Sequence, residues 1–231
     1  MRREGTGTTE GHPKTVALVL GATGLVGREI LRLLANDESL AEVRALVRRS
    51  LPAEDNGPRV SECIVDFDRL HERPELLKAD LVFSALGTTI GKAGTREAFR
   101  RVDFEYPLAV AKAARAAGAR HFLFVSAMGA NSRSPFFYNR VKGELEQAIL
   151  SLGYPSVTIA RPSLLLGERQ EHRFGEELAK QFAWLTPSPW RPVPASQVAA
   201  ALIHAAHEGS SGIRVLENRQ LRSSRKEKKE Y

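Results

Sequence analysis

Cysteine is almost missing: Cys63 is the one thiol among 231 residues. A single thiol excludes an intramolecular disulfide framework and any multi-cysteine metal site, and inside an apolar segment it reads as a small core residue. No apolar run approaches the roughly 18 residues a membrane-spanning helix needs, so no membrane partner is expected. The opening stretch, MRREGTGTTEGHPK, lacks the apolar core of a secretory signal. With no targeting segment to read, the default expectation is a cytoplasmic protein. Core-forming residues are not lacking: 42% are hydrophobic and 26% charged, a globular rather than a disordered composition. A chain of this length closes a full hydrophobic core as one domain.

The excess of basic over acidic groups is modest, 34 against 27 for a formal net charge of +7. The last ten residues, from Arg222, carry five basic and two acidic groups. A mixed-charge end of this kind reads as solvated chain, so no nucleic-acid partner is expected. None of the six histidines falls at metal-ligand spacing, since His204 and His207 lack a third ligand, and no metal is expected.

What is there is a regular alternation. Apolar, β-branched runs at Thr15–Leu20, Val43–Val47, Val60–Val65, Leu81–Ala85, Phe122–Ser126, Val157–Ala160 and Ile213–Leu216 alternate with helical patterns. TVALVL is continuous rather than alternating, as expected of a strand buried on both faces. Helices are expected after it, with Val26, Ile30, Leu33 and Leu34 on one face, and over Glu97–Ala117, Phe137–Leu152 and Ala195–Glu208. The fold class expected is α/β: a Rossmann-like doubly wound parallel sheet with helices on both faces and a small C-terminal elaboration on the substrate side. The expected division is a flexible N-terminal segment over 1–14, one Rossmann-like domain over 15–221 and a charged flexible tail over 222–231.

The first strand runs into Gly21-Ala22-Thr23-Gly24-Leu25-Val26-Gly27. Gly21 would permit the tight turn, Gly24 would let the backbone approach a pyrophosphate, and Gly27 would let the helix pack close to the strand. The amides opening the helix would then face the phosphates. The second strand ends in Arg48-Arg49, where an NAD-preferring site would carry Asp or Glu. An arginine fork suits a 2′-phosphate, so NADP(H) is expected over NAD(H), with Arg48 the better placed of the two. Asp66, ending the third strand, either accepts from the adenine amino group or caps a following helix. Ser84-Ala85-Leu86-Gly87 ends the fourth strand with small residues against which the cofactor's ribose would lie.

The fifth strand ends at Ser126, and twelve residues on stands Tyr138-Asn139-Arg140-Val141-Lys142. Tyr and Lys four apart on a helix share a face. A phenol alone is too weak an acid–base group at neutral pH, and a neighbouring ammonium stabilises its phenolate. Ser126 would donate to a substrate carbonyl, Tyr138 would carry the proton, and Lys142 would also hold the nicotinamide ribose.

The segments GATGLVGREIL, LVRR, VDF, ALGTTIGKAG, RVDFEYPL, FYNRVKGELE and RPSLLLGERQE, with ENRQL near the end, span about Val16 to Leu221. In these the chain resembles the atypical branch of the short-chain dehydrogenase/reductases, and within it the Tat-interacting-protein family of NADPH-binding oxidoreductase-like proteins. The resemblance implies cofactor contacts at Gly21, Thr23, Gly24, Leu25, Val26, Gly27, Arg48, Asp66, Leu86 and Gly87, a set in which we also count Ala22, Arg49 and Ala85. It implies the catalytic set Ser126, Tyr138 and Lys142. One departure from the wider superfamily is Asp103, where extended members usually carry Asn. Several atypical members bind the cofactor without an established substrate. The resemblance therefore implies either an NADP(H)-dependent reductase or dehydrogenase of a small carbonyl or alcohol, or an NADPH-binding regulatory module with a protein partner.

Substrate contacts are expected from the loops Ala127–Phe137, Pro162–Arg173 and Phe182–Pro194, the last carrying Trp184, Trp190, Pro187, Pro189, Pro192 and Pro194. Arg161, Arg169, His172 and Arg173 either bind an anionic group there or face solvent.

Overall fold

Thr15–Leu20 forms β1, and its last four residues are fully buried, as a strand covered on both faces must be. A computed structural model describes residues 15–55, 57–166 and 191–223 of the protein. Beside β1 lie β2 (Leu40–Val47) on one side and β4 (Leu81–Ser84) on the other. Outward from these run β3 (Val60–Ile64), β5 (His121–Val125), β6 (Ser156–Arg161) and β9 (Gly212–Glu217), giving the order β3-β2-β1-β4-β5-β6-β9 with every neighbour parallel. A two-stranded pair, β7 (Leu165–Leu166) with β8 (Val193–Pro194), forms a separate small sheet. Strand order reverses between β1 and β4, which opens a crevice at their carboxyl ends, the place where ligands bind in such sheets.

Each sheet face buries its own core. Helices α1 (Leu25–Leu34) and α6 (Ala195–Glu208) close one face with Val26, Ile30, Leu31 and Leu34 packed near Val198 and Leu202. Helices α4 (Tyr106–Ala116) and α5 (Phe137–Leu150) close the other, through Val110, Ala114, Leu145 and Ile149. Burying such aliphatic side chains stabilises by about 1.5–3 kcal/mol each, so both layers hold the strand ends in fixed relation. Helices α2 (Ile90–Ala93) and α3 (Arg96–Arg100) lie on the chain leaving β4.

The helix expected over Glu97–Ala117 runs without a gap from Arg96 to Ala116, and the structure adds a π-helical turn at Arg101–Glu105 that joins α3 to α4. Pro107 explains the turn, because it has no N–H to donate to the carbonyl of residue 103, and the ladder widens there. Of the charged tail expected over 222–231, Arg222 and Ser223 stand in α7 (Asn218–Ser223), where Leu221 is fully buried, and the rest lies outside the described residues. The expected N-terminal segment, 1–14, lies outside the described residues.

Candidate active site

The cofactor loop is built by close approach. Gly21 has φ +75°, and a Cβ there would stand 2.5 Å from the Ala85 carbonyl oxygen. A Cβ on Gly27 would collide with the Gly21 carbonyl. The backbone is therefore stacked turn on helix with no room for side chains, the cradle that a pyrophosphate needs. Gly24 caps α1 with extended backbone and no side-chain hydrogen bond, and its first turn carries no acidic residue. The amides of Leu25, Val26 and Gly27 have no partner inside the helix, and the positive end of its dipole is uncompensated. The residues thus fit a dinucleotide phosphate. Ala22 is buried beneath the turn, and Thr23 is exposed on it.

In the sheet register Leu20 sits beside Leu46, so Arg48 and Arg49, both exposed, leave β2 next to the glycine turn. Asp66 caps the 3-10 helix Phe67–Glu72, its Oδ1 accepting from the Asp68 amide at 3.0 Å. Of its two expected roles, the structure displays the cap. Ala85 and Leu86 are half-buried and Gly87 is exposed where the chain leaves β4.

Helix α5 presents Tyr138, Lys142 and Glu146 four residues apart on one face. Tyr138 is exposed, its ring 5.7 Å from that of Phe99, and the Lys142 ammonium lies 6.0 Å from the Tyr138 ring centre. Lys142 itself is buried and pairs with Asp103 Oδ1 at 2.8 Å. Asp103 Oδ2 accepts from the Thr88 amide at 2.8 Å. Burial works against the Lys142 charge, but the neighbouring Asp103 carboxylate prevails and holds its pKa above the ordinary lysine value. A Cβ on Gly87 would come within 3.7 Å of the Lys142 nitrogen, so the ammonium lies beside the segment against which the cofactor's ribose is expected.

Ser126 is placed differently from its expected role. Its hydroxyl is buried and donates to Glu146 Oε1 at 2.5 Å. Glu146 is clamped in turn by Arg161, through Nε at 3.0 Å and Nη2 at 2.6 Å, and Arg161 also reaches Glu217 at 3.0 Å. The structure thus joins Tyr138 and Lys142 in one cluster and Ser126 in a second, one turn further along the same helix. Arg161, a candidate for an anionic substrate, is spent on two carboxylates. Glu146→Ala would strand the buried Ser126 donor and the Arg161 guanidinium together. We expect a loss of about 3 kcal/mol in stability, read by urea unfolding; a loss under about 1 kcal/mol would make the cluster dispensable.

The Ala127–Phe137 loop is fastened to α5: Asn139 Nδ2 donates to the carbonyls of Met128 and Gly129 at 3.2 and 2.8 Å, and Arg140 donates to that of Ser134 at 2.9 Å. Gly143 lets the loop lie flush, since a Cβ there would collide with Asn131 and Ser132. Ile90, Phe136 and Leu164 stand exposed on the segments that follow β4, β5 and β6. Arg169, His172, Arg173, Trp184, Pro187, Pro189 and Trp190 lie outside the described residues. Sequence reasoning noted Asp103 without giving it a partner, and missed Glu146. The repeat Tyr138, Lys142, Glu146 at helical spacing was the available signal.

A family model described as NAD(P)H-binding matches residues 21–208. The chain is 36% identical over 209 residues to protein HTATIP2 of Rattus norvegicus, covering 88% of this chain and 86% of that protein. It is 35% identical over 203 residues to "Protein FMP52, mitochondrial" of Candida albicans, covering 84% and 89%. Among solved structures, MoeE5 in complex with UDP-glucose and NAD superposes with a TM-score of 0.67 at 19% identity, over 87% of this chain and 74% of that one, a likeness of fold. The cytoplasmic expectation, a default that rested on finding no targeting segment, is corrected by these relatives, because the matching FMP52 proteins are named mitochondrial. With the parallel sheet, the glycine cradle and these relatives in agreement, the chain belongs to the NAD(P)H-binding family and, within it, to the oxidoreductase-like group that includes HTATIP2 and FMP52.

Proposed function

We propose that the protein is an NADP(H)-dependent oxidoreductase acting on a small carbonyl or alcohol substrate. The observation that carries this reading is the Lys142 ammonium, held between the Gly87 strand end and the Tyr138 ring on one helix face. When bound, the nicotinamide supplies or accepts the hydride. Lys142 holds the ribose hydroxyls, and Tyr138, the exposed member of the cluster, gives its proton to the substrate oxygen in reduction and takes it back in oxidation. Ser126 orients the substrate oxygen only after its proton turns away from Glu146. The rim residues Ile90, Phe136 and Leu164 favour an apolar substrate body.

Arg48 carries the cofactor preference. Arg48→Ala should weaken NADPH binding by about tenfold or more while leaving NADH within about twofold, measured by calorimetry. Equal losses for both cofactors would remove Arg48 from the 2′-phosphate. The reaction itself is tested by substrate-dependent NADPH oxidation across a panel of aldehydes and ketones, and absence of turnover across the panel counts against it.

A second reading, an NADPH-occupied regulatory module with a protein partner and little turnover, is favoured by one observation. Both groups that would assist Tyr138 are already committed to buried carboxylates, Ser126 to Glu146 and Lys142 to Asp103. NADPH binding without turnover, together with a partner captured only in its presence, would establish that reading.

A further inference from the structure

We infer that Asp103 is a positioning residue for cofactor binding: it fixes the Lys142 side chain against the Gly87–Thr88 strand end and supplies the negative charge that lets it stay an ammonium while buried. The inference deepens the proposed cofactor site and rests on that reading for its consequence, though not for the pairing itself.

The geometry carries the argument. The Lys142 and Asp103 side chains are only 5% and 1% exposed, and their charged atoms stand 2.8 Å apart. An isolated ammonium moved out of water is costly, and a lysine so placed normally sheds its proton instead. The other ionisable groups that act on Lys142 are Tyr138 and Glu146, both on its own helix, and Glu146 is already held by Arg161. From the π-helical turn comes Asp103, and from the strand end only the Gly87 and Thr88 backbone. Asp103 is thus the counter-charge that comes from outside α5.

Its two oxygens divide the work. Oδ2 takes the Thr88 amide and so ties the acid to the strand end, while Oδ1 faces the lysine. The wider π-helical turn around Pro107 brings residue 103 inward to do both. An Asn in this position would satisfy the Thr88 amide through its carbonyl oxygen, yet would bring no charge to the ammonium. Asp103→Asn therefore isolates the charge while keeping shape and the backbone hydrogen bond.

The signs of the pH effects follow. In the wild type Lys142 stays protonated until well above neutrality, and its contribution to stability is lost only as pH rises past the ordinary value of 10.5. In Asp103→Asn the largest counter-charge to burial is gone, only Tyr138 and Glu146 still favour the ammonium, and the balance moves toward the neutral amine. Folded protein then binds fewer protons than unfolded, so the variant gains stability with rising pH while its NADPH affinity falls.

The test uses the full chain labelled at the lysine Cε, with Lys142→Met assigning the resonance. In the wild type the Lys142 signal should stay at its ammonium position between about pH 7 and 9, and in Asp103→Asn it should leave that position within or below that window. NADPH affinity should change less than about twofold across the window in the wild type, fall about tenfold in Asp103→Asn, and be weak but flat in Lys142→Met. A Lys142 signal that stays at its ammonium position across the window in Asp103→Asn overturns the inference. Should Asp103→Asn fail to fold, the double variant Asp103→Asn/Lys142→Met should recover the lost thermal midpoint, because no buried charge is left unpaired; no recovery overturns it. If no variant and no wild type binds NADPH, the cofactor reading fails by itself, and the resonances still decide the pairing.

Discussion

Gly27→Ala should abolish NADP(H) binding, weakening it by about a hundredfold or more, and should lower stability by about 1–3 kcal/mol. The added Cβ collides with the carbonyl of Gly21, whose own left-handed backbone is wedged against Ala85. Neither contact is with a side chain that can swing aside. Relief requires α1 to move off β1, and this removes the amides of the first turn from the phosphate position. Calorimetry of the purified variant checks the first effect and urea unfolding the second. Retained micromolar NADPH binding would mean that the cofactor does not sit on this turn.

Tyr138→Phe carries the second large effect. In a preparation with measurable carbonyl reduction, kcat should fall by about 10³-fold, within the range that positioned acid–base groups contribute. NADPH affinity should stay within about threefold, because the ring's contact with Phe99 survives and the proposed hold on the ribose belongs to Lys142. That split between turnover and binding separates a proton donor from a wall of the site. Turnover within a few-fold of wild type would assign the proton to another group.

The architecture was legible because its signals are local. The continuous run TVALVL announced a strand buried on both faces, and glycine spacing announced a turn that tolerates no Cβ. Helix Ala195–Glu208 runs as its alanine-rich pattern indicated, and Gly209 ends it at φ +62°. The π-helical turn was harder to read, because the apolar period continues through it and only Pro107 marks it. Partner identity was the least legible feature. Residue types at strand and helix positions showed that Ser126 and Lys142 reach the carboxyl edge of the sheet, but not which groups already hold them there. Asp103 lies 39 residues from Lys142 and Glu146 lies 20 from Ser126. Such pairings form only when separate elements pack, and they change the chemistry: a serine whose proton is taken is no longer a ready donor.

Titration of nucleotide-stripped protein with NADPH and NADH, by calorimetry under one buffer condition, tests the central claim most directly. The account predicts micromolar NADPH binding with NADH at least about tenfold weaker, the signature of the glycine cradle and Arg48 acting together. Binding of neither nucleotide would contradict it, because the roles assigned to Tyr138, Lys142 and Asp103 all depend on a dinucleotide lying across that edge.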